Sequence, residues 1–186
     1  MPGSALKNEC IKQIVLEREN ADSGIVRGSN YGGWHSTADL RDWPEPEIQE
    51  LCPFVKDTAK DLTAEMEPLK SSDEVNINPF GSAWVNLLRN SGYNKVHNHP
   101  GCMFSAVYYV SEGNPDSNIP DNGTLEFMDP RPGNIHGGKW VVKPKKGILV
   151  MFPSWLYHYV NPFYGESDRI SIAFNMNVEI VRTVRK

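Results

Sequence analysis

The sequence predicts a mainly β protein with a helix packed against one side of the sheet. The second half of the 186-residue chain contains short segments rich in Val, Ile, Tyr, Phe and Trp, with turn residues between them: 82–89, 103–110, 123–128, 139–143, 147–152, 156–160 and 169–180. Consecutive strands without intervening helices are typical of a sandwich, a barrel or a jelly roll. In the first half, apolar residues recur at steps of three and four, which indicates one amphipathic helix.

The predicted helix runs from Glu47 to Met66. Pro46 suits its start, and Pro68 suits its end, because proline is favoured in a first helical turn and cannot continue a helix. Pro53 lies inside the pattern, so we expect it to kink the helix or split it in two. The apolar stripe consists of Ile48, Leu51, Cys52, Val55, Ala59, Leu62 and Met66.

The rest of the chain is assigned from shorter signals. Residues 10–17 are predicted as a strand, and residues 22–43 as mainly loop because glycines and polar residues dominate them. Trp155, Tyr157 and Phe174 are predicted as core aromatics. The length predicts a single domain over residues 1–186, with a helical and loop part over about 1–75 and a β core over about 76–180.

Composition and charge exclude several classes of protein. The chain is 39% hydrophobic and 23% charged, which is ordinary for a globular domain. Its net charge of -4 disfavours nucleic-acid binding, which requires a basic surface. No apolar run approaches the roughly 18 residues that span a bilayer. The three cysteines form no CxxC pair and no apolar leader is visible, so we expect a cytoplasmic protein with reduced thiols.

The histidines give the strongest chemical signal. His97 and His99 are two residues apart, and on an extended strand such residues face the same side, as a pair of metal ligands requires. His158, after another apolar run, is the natural third ligand. The alternative for the pair alone is a surface feature at a strand end. His35 and His136 are expected to be loop histidines, and Cys102 is expected to be a buried, inert thiol.

A second candidate site follows eleven residues after His158, at Arg169 and Ser171. These residues also share one face of a strand, and a guanidinium beside a hydroxyl can bind a carboxylate. Without further context, a salt bridge from Arg169 to Glu166 or another carboxylate is the favoured interpretation.

The order HxH, His, RxS resembles that of the Fe(II)/2-oxoglutarate-dependent oxygenases. It is most similar to a microbial and phage subgroup related to the prolyl hydroxylases. The resemblance extends over about 84–177 and, more weakly, to the Gly33-Trp-His-Ser36 segment. It is carried by His97-Asn-His-Pro-Gly101, Ser105-Ala-Val-Tyr-Tyr109, Gly123-Thr-Leu-Glu-Phe127, Asp129-Pro-Arg131, Pro144-Lys-Lys-Gly147, Phe152-Pro-Ser-Trp155, His158 and Arg169-Ile-Ser171.

The resemblance implies a double-stranded β-helix, or jelly roll, that binds Fe(II) and 2-oxoglutarate. By position, the implied metal ligands are His97, His99 and His158. The implied 2-oxoglutarate residues are Arg169, Ser171 and Tyr109 around the C5 carboxylate, Leu125 as a wall, and Asn86, whose amide would face co-substrate or substrate. The wider family has Asp or Glu where this chain has His99, so the dianionic co-substrate would supply the negative charge that the ligand set lacks. Zinc, nickel or copper can bind such imidazoles more tightly than iron.

The implied activity is a dioxygenase that uses 2-oxoglutarate and O2, releases succinate and CO2, and hydroxylates an unidentified substrate. Residues 22–43 and 111–122 are expected to cover the mouth of the site. Two alternatives remain at this point: a cupin-like metal enzyme that does not use 2-oxoglutarate, and a non-catalytic jelly-roll binding protein. The sequence predicts neither a nucleic-acid nor a membrane partner, and it leaves the primary substrate and the oligomeric state open.

Overall fold

The computed structural model describes residues 5–26, 28–66, 73–131 and 138–184. The two α-helices are α1 (Ala5–Ala21) and α2 (Pro46–Met66), and a short 3-10 helix covers Leu40–Asp42. The strands are β1 (Asn30–His35), β2 (Asp73–His97), β3 (Phe104–Ser111), β4 (Leu125–Met128), β5 (Lys139–Val142), β6 (Leu149–Pro153), β7 (His158–Phe163) and β8 (Arg169–Val184). Among these residues, no helix is long and apolar enough to cross a bilayer.

The strands form one antiparallel sheet that folds over itself into two layers. Its order is β5-β4-β7-β2-β8-β3-β6, with β1 also paired to β2. The long strand β2 belongs to both layers, because it pairs with β8 as far as Leu88 and with β7 from Gly92 onwards. Between these two stretches, Ser91 has a positive φ of 66°, which allows the strand to bend. The predicted mainly β class with a jelly-roll core is confirmed.

The two helices cover the outer face of the layer formed by β2, β8 and β3. Ile11 and Val15 of α1 and Leu51 of α2 are fully buried in one core with Val85 and Ile172 of the sheet. Burying each such side chain contributes roughly 1.5–3 kcal/mol to stability. The predicted helix on one side of the sheet is therefore confirmed, and α2 begins and ends within a residue of its predicted bounds.

One local prediction about the first half is wrong, and two others hold only in part. Residues 10–17 belong to α1 and are not a strand, because a short apolar run fits both periods and here Asn8, Ile11 and Val15 are buried at helical spacing. Of the two outcomes expected at Pro53, a split does not occur, because α2 continues through this residue. Most described residues of the 22–43 segment lie outside helix and strand as predicted, but the segment also contains β1 and the 3-10 helix.

Two predictions about the second half also need correction. Strand β2 begins at Asp73 and not near residue 82, because pairing with β8 keeps a polar stretch containing Pro79 extended. Trp155 and Tyr157 are 55% and 51% exposed and are not core residues, whereas Phe174 is buried as predicted. His136 lies outside the described residues.

Strand alternation determines which side chains face the interior between the layers. On β8, Ile170 and Ile172 pack in the core beneath the helices, while Arg169 and Ser171 are directed to the interior. The sequence thus places an unusual number of polar side chains inside the sheet, where they line a cavity.

Candidate metal centre and anion site

The cavity between the two layers has a volume of about 440 Å³. Its lining includes every residue that the sequence predicts for the site: His97, His99, His158, Arg169, Ser171, Tyr109, Leu125 and Asn86. The order of these residues along the chain does not make them neighbours. They meet because β2, β3, β4, β7 and β8 all present one face to the same interior.

The three predicted histidine ligands lie together. His97 is paired directly with His158 across β2 and β7. Their ring centroids are 4.4 Å apart. The ring centroid of His99 lies 5.0 Å from that of His97 and 5.2 Å from that of His158. One ring nitrogen from each of the three lies within 4.8 Å of the others, so the cluster has the composition and spacing of a metal site.

Backbone carbonyls hold two of these rings. Nδ1 of His97 lies 2.6 Å from the carbonyl oxygen of Lys95, and Nδ1 of His158 lies 2.9 Å from that of Leu156. A carbonyl only accepts, so each Nδ1 carries the proton. In each neutral ring, the Nε2 lone pair is then left for another partner.

A side chain holds the third ring. Nδ2 of Asn175 lies 3.2 Å from Nδ1 of His99, and Oγ of Ser105 lies 3.0 Å from Oδ1 of Asn175. Rotating the carboxamide by half a turn exchanges its oxygen and nitrogen at the same positions, and the serine hydroxyl can donate or accept. The Ser105–Asn175–His99 chain therefore fits either tautomer of His99.

Burial keeps these imidazoles neutral. Loss of hydration, with a smaller contribution from the neighbouring His97, lowers the pKa of His99 to about 4 and that of His158 to about 3. The pKa of His97 is also lowered, again by burial. Neutral rings at pH 7 are the form that binds a metal.

The predicted anion site contains a buried cation without a counter-charge. Arg169 is 1% exposed; its Nε donates to the carbonyl of Gly123 at 3.1 Å, and no described carboxylate forms an ion pair with it. The alternative salt bridge to Glu166 does not form. Desolvation lowers the pKa of Arg169 and outweighs the opposing effect of the nearby Tyr109.

Tyr109 completes this arrangement. It is fully buried, its hydroxyl has no hydrogen-bond partner among the described residues, and the Arg169 guanidinium carbon lies 5.4 Å from its ring centroid. Burial raises the pKa of the phenol, so it stays protonated and able to donate. Ser171 pairs with Tyr109 across β8 and β3, and Leu125 forms an apolar wall.

Sequence reasoning missed two aromatic residues of the cavity. His35 is 6% exposed on β1, opposite Asn86, and its ring stacks on that of Trp84 at 5.8 Å. Trp84 in turn lies 5.9 Å from His99. The signal was the Gly33-Trp-His-Ser36 segment, but the glycines around it favoured a loop, whereas Gly33 allows β1 to lie close to Leu87 of β2.

The two predicted covering segments differ. Gly28, Ser29 and Ala38, from the 22–43 segment, line the cavity, but no residue of 111–122 does. Cys102 is half-buried and does not belong to the histidine cluster.

Comparison with known proteins agrees with this geometry. A family model described as "Putative 2OG-Fe(II) oxygenase" matches residues 82–175, just over half of the chain. A search of curated proteins gives no match. Among solved structures, the chain resembles a Pseudomonas putida prolyl-4-hydroxylase at 19% identity, covering 94% of this chain and 88% of that one, with a TM-score of 0.59.

Two enzymes of nogalamycin biosynthesis share the fold over more of the chain. The 2-oxoglutarate-dependent carbocyclase SnoK matches at 11% identity and a TM-score of 0.69, covering 98% of this chain and 79% of that one. The epimerase SnoN matches at 15% identity and a TM-score of 0.68, covering 98% and 77%. Fe(II) and 2-oxoglutarate, which the sequence predicts, are the metal and co-substrate of the matched family. The chain therefore belongs to the 2-oxoglutarate- and Fe(II)-dependent oxygenases.

Proposed function

We propose that this protein is a dioxygenase that hydroxylates its primary substrate while converting 2-oxoglutarate and O2 to succinate and CO2. The observation that carries this proposal is the placement of three neutral imidazoles in one cavity with a buried guanidinium that has no counter-ion among the described residues. The imidazoles suit a divalent metal, and the guanidinium suits one carboxylate of a small dicarboxylate.

His97, His99 and His158 would hold the metal. The carbonyls of Lys95 and Leu156 keep the Nδ1 protons of His97 and His158 in place, so both rings present Nε2. Ligation by Nε2 of His99 requires the same tautomer, which selects the amide orientation in which Oδ1 of Asn175 accepts from Nδ1. When bound with 2-oxoglutarate, Fe(II) supplies the activation of O2 and the oxidation of a C–H bond.

Arg169, Ser171 and Tyr109 would bind the C5 carboxylate of 2-oxoglutarate. The carboxylate would give Arg169 its missing counter-charge and give the Tyr109 hydroxyl its missing acceptor, which relieves the cost of two unsatisfied groups at once. The negative charge of the co-substrate would also offset the metal charge, which three neutral imidazoles leave unchanged.

Apolar side chains shield the reaction from water on one side of the histidines. The ring of Phe152 lies 4.8 Å from that of His158, and the ring of Phe127 lies 6.1 Å from it. These residues, with Leu125, belong to a small apolar core between the layers. Such a wall strengthens electrostatic interactions within the cavity and limits side reactions.

The test is succinate release from purified, Fe(II)-loaded protein, measured with and without O2. We expect O2-dependent succinate and one equivalent of CO2. Metal uptake without any use of 2-oxoglutarate would favour a cupin-like enzyme and overturn the proposal. Because SnoN and SnoK are an epimerase and a carbocyclase, hydroxylation itself requires a product that gains one oxygen atom from 18O2.

A further inference from the structure

The cavity extends beyond the histidines and the Arg169 site. On the side of β1 it is lined by Ser29, His35, Ser82, Trp84, Asn86 and Asn94, which together we term the β1-side pocket. Apart from Asn86, whose amide the resemblance assigns to co-substrate or substrate, none of these residues is among the implied ligands of the metal or of 2-oxoglutarate. The pocket borders the metal site directly, because the Trp84 ring lies 5.9 Å from that of His99.

The β1-side pocket carries no permanent charge. Of the described residues that line the whole cavity, none is Asp, Glu or Lys, and Arg169 is the single arginine. The co-substrate carboxylate would neutralise that arginine. An ionised group on a second ligand would therefore lose its hydration without gaining a counter-ion, which is strongly unfavourable.

Asn86 presents an amide to the pocket that no described side chain or backbone group engages. Its side chain is 9% exposed and makes no hydrogen bond to the described residues. It is paired with His35 on one side and Ser171 on the other, so it lies in the middle of the inner face. A carboxamide offers a donor next to an acceptor, so Asn86 presents both to a ligand in the pocket.

The remaining features of the pocket suit a neutral ring. Trp84 is held by stacking on His35, with planes 14° apart, which fixes the orientation of the indole. Asn94 donates its amide to Asn30 at 3.2 Å, and its carbonyl oxygen accepts no hydrogen bond from the described residues. The pocket therefore combines an aromatic surface with uncharged amide groups.

We propose that the β1-side pocket binds the primary substrate, and that this substrate is an uncharged ring compound carrying a hydrogen-bond donor beside an acceptor, such as an amide or a vicinal diol. Asn86 pairs with that donor and acceptor, and Trp84 packs against the ring. This inference rests on the proposed function only in that the metal and 2-oxoglutarate occupy the remaining cavity. It predicts that free amino acids and nucleotides bind poorly, because the described lining offers their charges no counter-ion apart from Arg169.

The experiment uses Zn(II)-loaded protein with saturating 2-oxoglutarate and ligand-observed NMR. The probe is a fragment library with equal numbers of neutral, anionic and cationic compounds, screened against the wild type, Asn86→Leu and Asn86→Asp. Some fragments should bind Asn86→Leu roughly tenfold or more weakly than the wild type. We expect these fragments to be neutral rings that carry a hydrogen-bond donor beside an acceptor. Asn86→Asp should shift the preference towards cations, because a carboxylate only accepts.

Asn177→Leu is the matched control, because Asn177 bonds to the Gly101 carbonyl and does not line the cavity. It should retain the wild-type fragments. The inference is overturned if the Asn86-dependent fragments are evenly distributed among the charge classes, if they are mainly charged, or if no fragment depends on Asn86. Binding of 2-oxoglutarate is measured in the same samples, so its failure contradicts the proposed function separately.

Discussion

Two buried polar regions of this protein differ in how their groups are satisfied. On the outer face of β4, Glu126 is fully buried, and its carboxylate accepts from Tyr159 at 2.6 Å, Asn161 at 2.6 Å and Lys139 at 2.9 Å. Inside the cavity, Arg169 has no carboxylate partner and the Tyr109 hydroxyl has no partner among the described residues.

The pKa values follow the same division. Burial tends to raise the pKa of Glu126, but hydrogen bonds from Tyr159, Lys139 and Asn161 outweigh it and hold the pKa below its ordinary value. For Arg169, burial dominates and lowers the pKa. Buried polar groups that have hydrogen-bond partners contribute to the stability of the fold. Buried polar groups without partners gain them when a ligand binds. We therefore expect substitutions at Glu126 and its partners to change stability, and substitutions in the cavity to change binding.

The largest expected effect is on metal binding. His158→Ala should abolish one-to-one uptake of Mn(II) or Fe(II), because it removes one of three ligands from the cluster. Elemental analysis after gel filtration measures this directly. His35→Ala is the matched control, since His35 lines the cavity but lies outside the cluster, and it should keep full occupancy. Retained stoichiometric metal in His158→Ala would remove His158 from the ligand set.

The second largest effect is expected on the binding of 2-oxoglutarate, without a matching effect on metal binding. Arg169→Met should raise the Kd of 2-oxoglutarate by about 100-fold or more, because two charge-assisted hydrogen bonds are lost. Metal affinity should change little, and the melting temperature should not fall, since an uncompensated buried charge is removed. Arg89→Met, which removes a half-exposed arginine paired with Glu19 and Asp168, should leave 2-oxoglutarate binding unchanged. Equal losses of metal and 2-oxoglutarate in Arg169→Met would contradict the assignment.

A smaller effect is expected at the side chain that orients His99. Asn175→Leu should weaken metal affinity by roughly 10- to 100-fold, because His99 loses the side chain that orients its ring and can accept from Nδ1 in the metal-binding tautomer. Titration of Co(II) followed by its visible absorption measures both affinity and ligand geometry. Asn175→Asp should restore affinity, since a carboxylate can only accept from Nδ1–H. An Asp variant no better than the Leu variant would show that the contact does not set the tautomer.

The most direct contrast uses the same substitution in both regions. Tyr159→Phe should lower the free energy of unfolding by about 1.5–3 kcal/mol, because a hydrogen bond to a carboxylate is lost. Tyr109→Phe removes an unpaired buried hydroxyl, so it should leave the stability unchanged or raised while it weakens 2-oxoglutarate binding. Denaturant melts and calorimetric titrations measure the two quantities. The comparison fails if both variants lose similar stability.

Much of the site was predictable because strand alternation and the family resemblance independently indicate the same residues. The i, i+2 pairs His97/His99 and Arg169/Ser171 are local, and the structure brings both pairs into one cavity. What the sequence did not predict depends on partners distant in the chain. The start of β2 is fixed by β8, and the β1 segment becomes a strand only beside β2.

The wrong assignment of residues 10–17 has a similar origin. A short apolar run satisfies both helix and strand periods, and burial against the sheet, as for Ile11 and Val15, decides between them. Asn175 could not be identified as a partner of His99, because 76 residues separate them and only the pairing of β8 with β3 brings Asn175 beside Ser105.

The measurement that tests the central claim most directly is thermal unfolding with Mn(II) alone, 2-oxoglutarate alone, and both together. The unsatisfied cavity groups predict the largest rise in melting temperature with both ligands, because each binds only the folded form and the co-substrate offsets the metal charge. Arg169→Met should lose the additional rise that 2-oxoglutarate gives. A melting temperature that neither ligand changes, alone or together, would contradict the account.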